Sequence, residues 1–364
     1  MLSSFGRGGQ ERVALDLARG QAARGHSVCA ISLAGPGPLG DEFARQQIAT
    51  LTLQKKVDGF DFRLPFALSA IFRRLQCDVV HTHNPQPLIY AAPVARLVGC
   101  RTVHTKHGAN PSSSRTLFFR NLAARFVDRT VAVSATTAEV AKQRHEAPLD
   151  RLRVIENGID LSRFGPDAAS RQQIRRELGI ESDAFVVGTV GRLAKEKNQA
   201  LLLRAIAPLL SQKCQLVMVG DGEEAPALRA QIAALPKAQQ PAVHLAGARD
   251  DVPRWLASFD VFALSSNTEG LPLVILEAMA TALPIVSTTV GGIAQVVVDE
   301  ECGLLVAAGD EAGMRDKINS LEKNRALGEN YGAGGRALAL ECYSAEHMVE
   351  AYLALYREIV QRHA

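Results

Sequence analysis

Short runs of apolar, often β-branched residues alternate with longer amphipathic segments along the chain. The amphipathic segments have helical spacing, as in Glu11–Arg24, Thr116–Phe126, Gln199–Leu210 and Glu224–Leu235. Nearly continuous apolar strands separated by helices are typical of parallel sheets covered on both faces, so the pattern predicts a doubly wound α/β fold. The predicted strands are His26–Ser32, Asp78–Thr82, Thr102–Thr105, Thr130–Val133, Phe185–Val190, Gln215–Val219, Val261–Leu264 and Pro284–Thr288.

The doubly wound pattern occurs twice, and 364 residues are enough for two hydrophobic cores. The break lies at the turn-rich segment Asn157–Pro166 and the polar segment Asp167–Arg176 that follows it. A last helix is predicted to begin at Ser344, which would serve as its N-cap. The expected parts are one domain at residues 1–162, a linker around 160–182, a second domain at 183–343 and the terminal helix at 344–364.

The N-terminal sheet has an unusual start. A doubly wound domain normally opens with a strand that leads into its first glycine loop. Here only Met1–Phe5 precedes the loop Gly6-Arg7-Gly8-Gly9. We therefore expect the first domain to lack most of its first strand.

Composition narrows the protein class. No apolar run reaches about 18 residues, and the first residues have no apolar signal-peptide core, which argues against a membrane span and against export. The six cysteines contain no C-x-x-C pair, so a reducing cytosol is the expected location and no zinc site is indicated. Residues 1–150 hold 19 Lys and Arg against 11 Asp and Glu, which indicates either an anionic partner or ordinary solvated surface charge.

Two glutamates flank an almost wholly apolar run in NTEGLPLVILEAMATALP, residues 267–284. Pro272 suits the first position of a helix, whose free N–H groups would then form a phosphate site. Glu277 and Glu269 could accept hydrogen bonds from hydroxyl groups on either side of that phosphate. This arrangement suits a nucleotide sugar. The competing interpretation is one capping glutamate and one solvent-facing glutamate.

A second group of candidate residues follows a predicted strand end. Gly191 and Arg192 come directly after the strand, and Lys197 precedes a predicted helix. Because ligands bind at the carboxyl ends of parallel strands, these two cations could clamp a diphosphate. The alternative is an ordinary pair of surface cations. Three further loops are weak signals, because strand-ending glycines are mostly structural: Gly220-Asp221-Gly222, Gly247 and Gly291-Gly292.

The whole pattern resembles the retaining glycosyltransferases of family 4, which have the GT-B fold. The most specific part of the resemblance is the E-x7-E segment, which contains the motifs EGLP and EAMA. The resemblance implies two doubly wound, Rossmann-like domains facing a cleft, with acceptor binding at residues 1–162 and nucleotide-sugar binding at 183–343. It covers nearly the whole chain, including Gly6–Arg12, His81-Thr82-His83, His107-Gly108, Ser134, Asn157–Asp160 and the terminal helix, which would cross back to the first domain.

The resemblance also implies roles for particular residues. Glu277 would hold the ribose and Glu269 the donor sugar, while His107 would lie near the reacting carbon. The other implied donor contacts are Arg192 and Lys197 on the diphosphate, the backbone around Gly191, Gly270, Leu271 and Leu273, and the close-approach glycines Gly8 and Gly9.

No cofactor is implied beyond a UDP- or GDP-linked sugar as substrate. The histidines His81, His83, His104 and His107 have no carboxylate at ligand spacing, and the chain contains no D-x-D pattern for a divalent cation. We therefore expect a transferase that works without a metal. Nucleic-acid binding is not supported, since aromatic residues make up only 5% of the chain and no fingerprint is present.

The segment Arg115–Phe126 mixes basic and aromatic residues. It either lies on an anionic membrane surface that carries a lipid-linked acceptor, or it is a buried helix with solvated arginines. The expected location is therefore the cytoplasm, including the inner face of the membrane, and the resemblance leans towards bacterial polysaccharide or lipid glycosylation.

Three other functions stay open. A nucleotide-sugar epimerase or hydrolase would turn over the donor without an acceptor. A non-catalytic sugar-nucleotide-binding subunit would fit a first domain disabled by its missing strand. A dinucleotide-dependent oxidoreductase is disfavoured because Gly6-Arg7-Gly8-Gly9 lacks the G-x-G-x-x-G spacing.

Overall fold

The computed structural model describes residues 1–55, 59–108 and 114–361. The chain forms two compact α/β units: unit 1 comprises Met1–Ile159 with Ala345–Ala364, and unit 2 comprises Asp160–Ser344. Every pairing between strands in the described residues is parallel, as predicted from the continuous apolar runs.

The strands of unit 1 form a pair and a four-stranded sheet. The pair has the order β1-β2 and the sheet has the order β3-β4-β5-β6. β2 and β6 are additional to the predicted strands, because β2 is exposed throughout, β6 has no fully buried residue, and neither has a continuous apolar run. The bounds are β1 Cys29–Ser32, β2 Ala49–Thr52, β3 Val79–Thr82, β4 Arg101–Lys106, β5 Arg129–Ala132 and β6 Leu152–Val154.

The first residues of the chain lie between β1 and β3. The N–H of Leu2 donates to the carbonyl of Ile31 at 2.9 Å, and the N–H of His83 donates to the carbonyl of Met1 at 3.1 Å. Met1 and Leu2 thus link the pair to the sheet where a central strand would run. A cavity of about 840 Å³ adjoins this link and is lined by both β1 and β3.

The helices of unit 1 cover its strands. The C-terminal helix Ala345–Gln361 belongs to this unit and packs on α1, with Arg24 of unit 1 bonded to Glu350 at 2.6 Å. Residues 362–364 of the predicted helix lie outside the described ranges. The other helices are α1 Gly9–Ala22, α2 Pro38–Arg45, α3 Arg63–Leu75, α4 Pro85–Leu97, α5 Ser114–Ala124 and α6 Ala135–Gln143.

Unit 2 contains one six-stranded sheet of order β12-β11-β10-β7-β8-β9. β7, β8 and β10 are buried throughout, as their apolar sequences require. β12 was not among the predicted strands, and β9 was recognised only by its end. The bounds are β7 Phe185–Val190, β8 Cys214–Val219, β9 Val243–Gly247, β10 Val261–Leu264, β11 Ile285–Thr288 and β12 Gly303–Val306.

The segment expected as a linker belongs to unit 2. Its helix Ala168–Leu178 (α7) is fixed by Arg171 and Arg175, which bond the two oxygens of Asp260 at 2.5 and 2.6 Å. The polar sequence of this segment therefore does not make it a separate linker, because Arg171 and Arg175 anchor it to Asp260 of unit 2. The remaining helices are α8 Gln199–Ile206, α9 Ala225–Ala234, α10 Val252–Ala257, α11 Leu273–Ala280, α12 Ile293–Val296, α13 Glu311–Lys323 and α14 Arg325–Cys342.

Candidate active site

The main candidate site lies at the carboxyl edge of the unit 2 sheet, between β7 and β10. These neighbouring strands mark the point where the strand order reverses direction along the chain. Such a switch point opens a crevice, because the connections that follow the two strands run to opposite sides. The loop after β7 holds Arg192 and Lys197, and the loop after β10 holds Glu269.

Lys197 and Glu269 form a direct ion pair. The Nζ of Lys197 donates to Oε1 of Glu269 at 2.6 Å, and the hydroxyl of Ser266 donates to the same oxygen at 2.7 Å. The Glu269 side chain is only 8% exposed, so these donors offset the desolvation of its carboxylate. The structure therefore brings together two predicted residues that are 72 positions apart and adds Ser266, which carried no sequence signal.

Asparagines hold the same two loops against each other. The backbone N–H of Asn267 donates to the carbonyl of Glu196 at 2.7 Å, and Nδ2 of Asn198 donates to Oδ1 of Asn267 at 3.2 Å. Asn198 has a positive φ of 49°, a conformation that asparagine tolerates better than most residues. This bonding preorganises the position of Lys197 relative to Glu269.

The Arg192 side chain is 59% exposed, far more than those of Lys197 and Glu269. Its guanidinium pairs with Glu196 of the same loop and with Glu223 at 3.5 Å. It thus lies on the loop of Lys197 but has its own carboxylate partners. The sequence did not indicate either glutamate as a partner.

Glu277 is half-buried on α11, one turn beyond the helix start. The helix begins at Leu273, so Pro272 occupies the N-cap position and not the first helical position as predicted. Its extended ψ of 125° explains this shift, because a residue in that region does not continue a helix. Gly270, Leu271 and Leu273 follow Glu269 directly and connect it to α11.

Glycines that were weak sequence signals make close contacts with these loops. A Cβ atom on Gly291 would overlap the carbonyl oxygen of Glu269, and the N–H of Gly292 donates to the carbonyl of Gly270 at 2.5 Å. A Cβ atom on Gly220 would overlap the carbonyl oxygen of Gly191. These glycines let neighbouring strand-end loops approach each other closely.

A second cluster of predicted residues lies in unit 1. His107 follows β4 directly, and its Nε2 is 3.1 Å from Nδ1 of His83 at the end of β3. Burial lowers the pKa of His107 to about 3, and burial together with the neighbouring histidines and the amino terminus holds the pKa of His83 well below its usual value. Both imidazoles are therefore neutral at pH 7, so that one ring nitrogen donates and the other accepts.

The histidine cluster continues to the C-terminal helix. The ring of His83 lies 4.1 Å from the ring of His81, whose Nδ1 is 2.6 Å from the hydroxyl of Tyr356. The other ring nitrogen of His81 is 2.8 Å from the Thr105 hydroxyl, which is bonded in turn to Tyr352 at 2.8 Å. Sequence reasoning missed these tyrosines, because their partners are 275 and 247 positions away.

Gly8 and Gly9 lie at the start of α1, as the glycine loop suggests. Gly8 is the N-cap and Gly9 is the first helical residue, and both are exposed. A Cβ atom on Gly8 would overlap the Glu11 carboxylate, whose pKa is raised by burial. The helix start therefore carries a carboxyl group beside its free N–H groups.

Within residues 1–55, 59–108 and 114–361, no group of three or more His, Cys, Asp or Glu side chains has an arrangement that could hold a metal ion. The clustered histidines of unit 1 bond to each other and to hydroxyl groups, and Nδ1 of His104 is 2.9 Å from the hydroxyl of Thr82. Over the same residues, no helix is long and apolar enough to cross a membrane.

Family models match both units. The model of Glycosyltransferase Family 4 matches residues 7–163, and the model of Glycosyl transferases group 1 matches residues 184–324. The second match includes Arg192, Lys197, Glu269 and Glu277, and the first includes His107.

Similar proteins are glycosyltransferases and sugar-conjugate synthases. The chain is 26% identical to N-acetyl-alpha-D-glucosaminyl L-malate synthase of Bacillus anthracis, over 97% of this chain and 95% of that protein. It is 30% identical to UDP-Gal:alpha-D-GlcNAc-diphosphoundecaprenol alpha-1,3-galactosyltransferase of Escherichia coli, over 69% of this chain and 67% of that protein.

The fold agrees with these matches. The crystal structure of Anabaena Alr3699/HepE in complex with UDP and glucose superimposes with a TM-score of 0.88 at 22% identity, over 97% of both chains. The sequence-based prediction of two Rossmann-like domains is thus confirmed. The chain is a glycosyltransferase that belongs to family 4, the group 1 glycosyltransferases, and has the GT-B fold.

Proposed function

We propose that the protein transfers a sugar from a nucleoside diphosphate sugar to a glycan or lipid-linked acceptor with retention of anomeric configuration and without a metal ion. The observation that carries this proposal is the Lys197–Glu269 ion pair at the switch point of the unit 2 sheet. It combines a cation for a phosphate with a carboxylate for sugar hydroxyls. The E. coli relative, whose name includes a UDP-linked donor and a lipid-linked acceptor, supports the substrate class.

Glu269 would orient the donor sugar. The hydrogen bonds from Lys197 and Ser266 both end on Oε1. Oε2 then remains the acceptor for a sugar hydroxyl, and the ion pair fixes the direction in which it points. Glu277 would receive the ribose hydroxyls from its position on α11.

Lys197 and Arg192 would stabilise the leaving diphosphate. Breaking the bond between the anomeric carbon and the phosphate oxygen builds negative charge on the diphosphate, and fixed positive groups lower the barrier to that step. Backbone N–H groups would help to stabilise this negative charge, namely those of Gly191, Gly270, Leu271 and Leu273. Because these groups belong to the protein, no divalent cation is required, and activity should persist in EDTA.

His107 would lie beside the reacting carbon. Its neutral imidazole accepts or donates one hydrogen bond without placing a full positive charge next to an electron-poor anomeric carbon. Gly8 and Gly9 at the start of α1 would allow the backbone to approach the donor closely. Nuclear magnetic resonance of the product's anomeric centre tests retention directly.

The decisive experiment compares two lysines of one loop. Lys197→Ala should lower kcat by about a hundredfold or more, the scale for losing one charge-stabilising group. Lys195→Ala, which removes an exposed neighbour in the same loop, should leave kcat within about twofold. Glu269→Ala should resemble Lys197→Ala. Equal activity of the Lys195 and Lys197 variants would remove Lys197 from the site.

The donor and the competing functions are tested in two further assays. A thermal-shift screen with UDP, GDP and ADP and their sugars should identify one base, since a ligand at 100 times its dissociation constant adds about 2.7 kcal/mol. Rapid conversion of the donor to free sugar or to an isomer without acceptor would instead favour a hydrolase or an epimerase.

A further inference from the structure

The phenylalanines of this chain fall into two groups. Seven of the 13 are buried, with at most 6% of their surface exposed. The other six are between 38% and 78% exposed, and all of them lie within residues 60–126 of unit 1. The exposed group consists of Phe60, Phe62, Phe66, Phe118, Phe119 and Phe126.

Helix α5 exposes three large apolar side chains and buries a charged one. Phe118, Phe119 and Leu122 are 42–65% exposed, whereas Arg120 is buried in an ion pair with Glu146 at 3.0 Å. The interpretation of this segment as a buried helix with solvated arginines therefore does not describe Arg120. Contact of phenylalanine and leucine side chains with water is unfavourable, so an exposed stripe of them indicates a surface that binds a partner.

Helix α3 carries a similar stripe. Arg63, Phe66, Ala70, Arg73 and Arg74 are exposed at helical spacing. The opposite side of the helix is buried and packs against α4, through Leu64, Leu68 and Phe72.

Helix α4 joins the two stripes into one face. Phe60 stacks on Tyr90 of α4 with ring centroids 4.6 Å apart. On the other side, Leu88 and Ala92 of α4 pack with Ala123 of α5. Both stripes therefore flank the same central helix. We call the exposed residues of α3, α4 and α5, with Phe60, Phe62, Arg125 and Phe126, the aromatic–basic face.

The part of the chain that contains most of this face is strongly basic. Residues 62–127 contain nine Lys and Arg and a single acid, Asp78. Five of the arginines are exposed, and within the described part of the chain none of the five pairs with a carboxylate. These are Arg73, Arg74, Arg96, Arg115 and Arg125.

We propose that the aromatic–basic face docks unit 1 on an anionic lipid bilayer. Phenylalanine and leucine side chains would enter the boundary between headgroups and acyl chains, and the arginines would contact anionic headgroups. Charge complementarity selects this occupant over a second copy of the chain, since two such faces would repel each other. The proposal deepens the proposed function, on which it rests only for the lipid-linked acceptor.

The position of the face suits that acceptor. Helices α3, α4 and α5 each follow a strand of unit 1 and so begin at the carboxyl edge of its strands. His107 lies at the same edge, at the end of β4. An acceptor anchored in the bilayer would therefore reach the sugar-transfer site without leaving the membrane surface.

Vesicle co-sedimentation of the full chain, without nucleotide or acceptor, tests the docking. The protein should bind vesicles of mixed phosphatidylglycerol and phosphatidylcholine at about 0.1 M salt, and should bind pure phosphatidylcholine vesicles far more weakly. Combining Phe66→Ser with Phe118→Ser should weaken binding about tenfold or more, since both side chains lose an apolar contact. Arg73→Ser with Arg74→Ser should weaken it by a similar factor and reduce its salt dependence.

Val298→Ser with Leu340→Ser is the matched control, because it removes two exposed apolar side chains from unit 2. An equal loss in this control, or no binding of the parent protein to anionic vesicles, would overturn the proposal. A dimer that disappears in the phenylalanine variant would assign the face to self-association instead. Nucleotide binding, measured separately by thermal shift, keeps this outcome distinct from a failure of the proposed function.

Discussion

Gly291 has a left-handed backbone conformation, with a φ of 60°, directly against the loop of Glu269. Two constraints favour glycine at this position. Its φ disfavours any side chain, and the carbonyl group of Glu269 already fills the space for a Cβ atom. Gly292 adds a hydrogen bond to Gly270. The position of the Glu269 backbone thus depends on a glycine in a neighbouring strand-end loop.

Gly291→Ala should therefore destabilise unit 2 by more than the conformational strain alone and should also lower kcat. Gly309→Ala is the matched control, because Gly309 has a φ of 82° but no atom within 4 Å of its Cβ position. The control should lose about 1–2 kcal/mol with unchanged kcat. Urea unfolding and steady-state kinetics measure both quantities, and equal losses in the two variants would contradict the steric argument.

At the scale of the elements, buried charge joins three parts of unit 1. Lys106 at the end of β4 and Arg120 on α5 both pair with Glu146, which follows α6. All three side chains are at most 6% exposed, and burial lowers the pKa of Lys106. One carboxylate therefore pairs with two buried cations and fixes α5, the helix whose other side carries the exposed phenylalanines.

Glu146→Ala should destabilise unit 1 by about 3–5 kcal/mol, since it removes the carboxylate with which two desolvated cations pair. Glu139→Ala serves as control, because its pair with Lys142 is about half exposed and should contribute less than about 0.5 kcal/mol. Denaturant titration followed by circular dichroism gives both values. A small effect of Glu146→Ala would mean that water reaches the cluster.

At the scale of the whole molecule, the two units differ in charge and in histidine content. Unit 1 has 23 Lys and Arg against 15 Asp and Glu, whereas unit 2 has 18 against 23. Four histidines whose pKa is lowered chiefly by desolvation lie in unit 1, while among the described residues unit 2 has one, His244. The four are His81, His83, His104 and His107.

Acid should therefore destabilise unit 1 more than unit 2. A histidine whose pKa is lowered by folding binds its proton more readily when unfolded, so stability is lost as pH falls below the unfolded value of about 6.5. The loss continues towards pH 3, near the pKa of His104 and His107 in the folded protein. Each such group contributes up to about 1.4 kcal/mol per pH unit.

The single tryptophan, Trp255, is buried in unit 2 and reports on that unit by fluorescence, while circular dichroism follows both units. Between pH 7 and pH 5, the unfolding midpoint that Trp255 fluorescence reports for unit 2 should shift less than the unfolding midpoint of unit 1, which circular dichroism follows. His145→Gln, at an exposed histidine of unit 1, should leave this difference unchanged. Parallel shifts of both transitions would contradict the assignment of the effect to unit 1.

Local patterns determined the class of fold and most of the catalytic candidates. Apolar runs such as Phe185–Val190 specify buried parallel strands, because a strand buried on both faces has no polar alternation. The same reasoning missed β2, which is exposed along its length. The segment containing Glu269 and Glu277 could be identified because its turn, cap and helix are all encoded within 18 neighbouring residues.

The sequence by itself determined that this chain is a doubly wound enzyme with a charged site after two strands. Only the tertiary structure decided that Lys197 pairs with Glu269, that His83 pairs with His107, and that α5 buries Arg120 while exposing its phenylalanines. The physical reason is separation along the chain. Helix and strand formation depends on near neighbours, whereas partners 24 to 72 positions apart are selected only when packing brings their elements together.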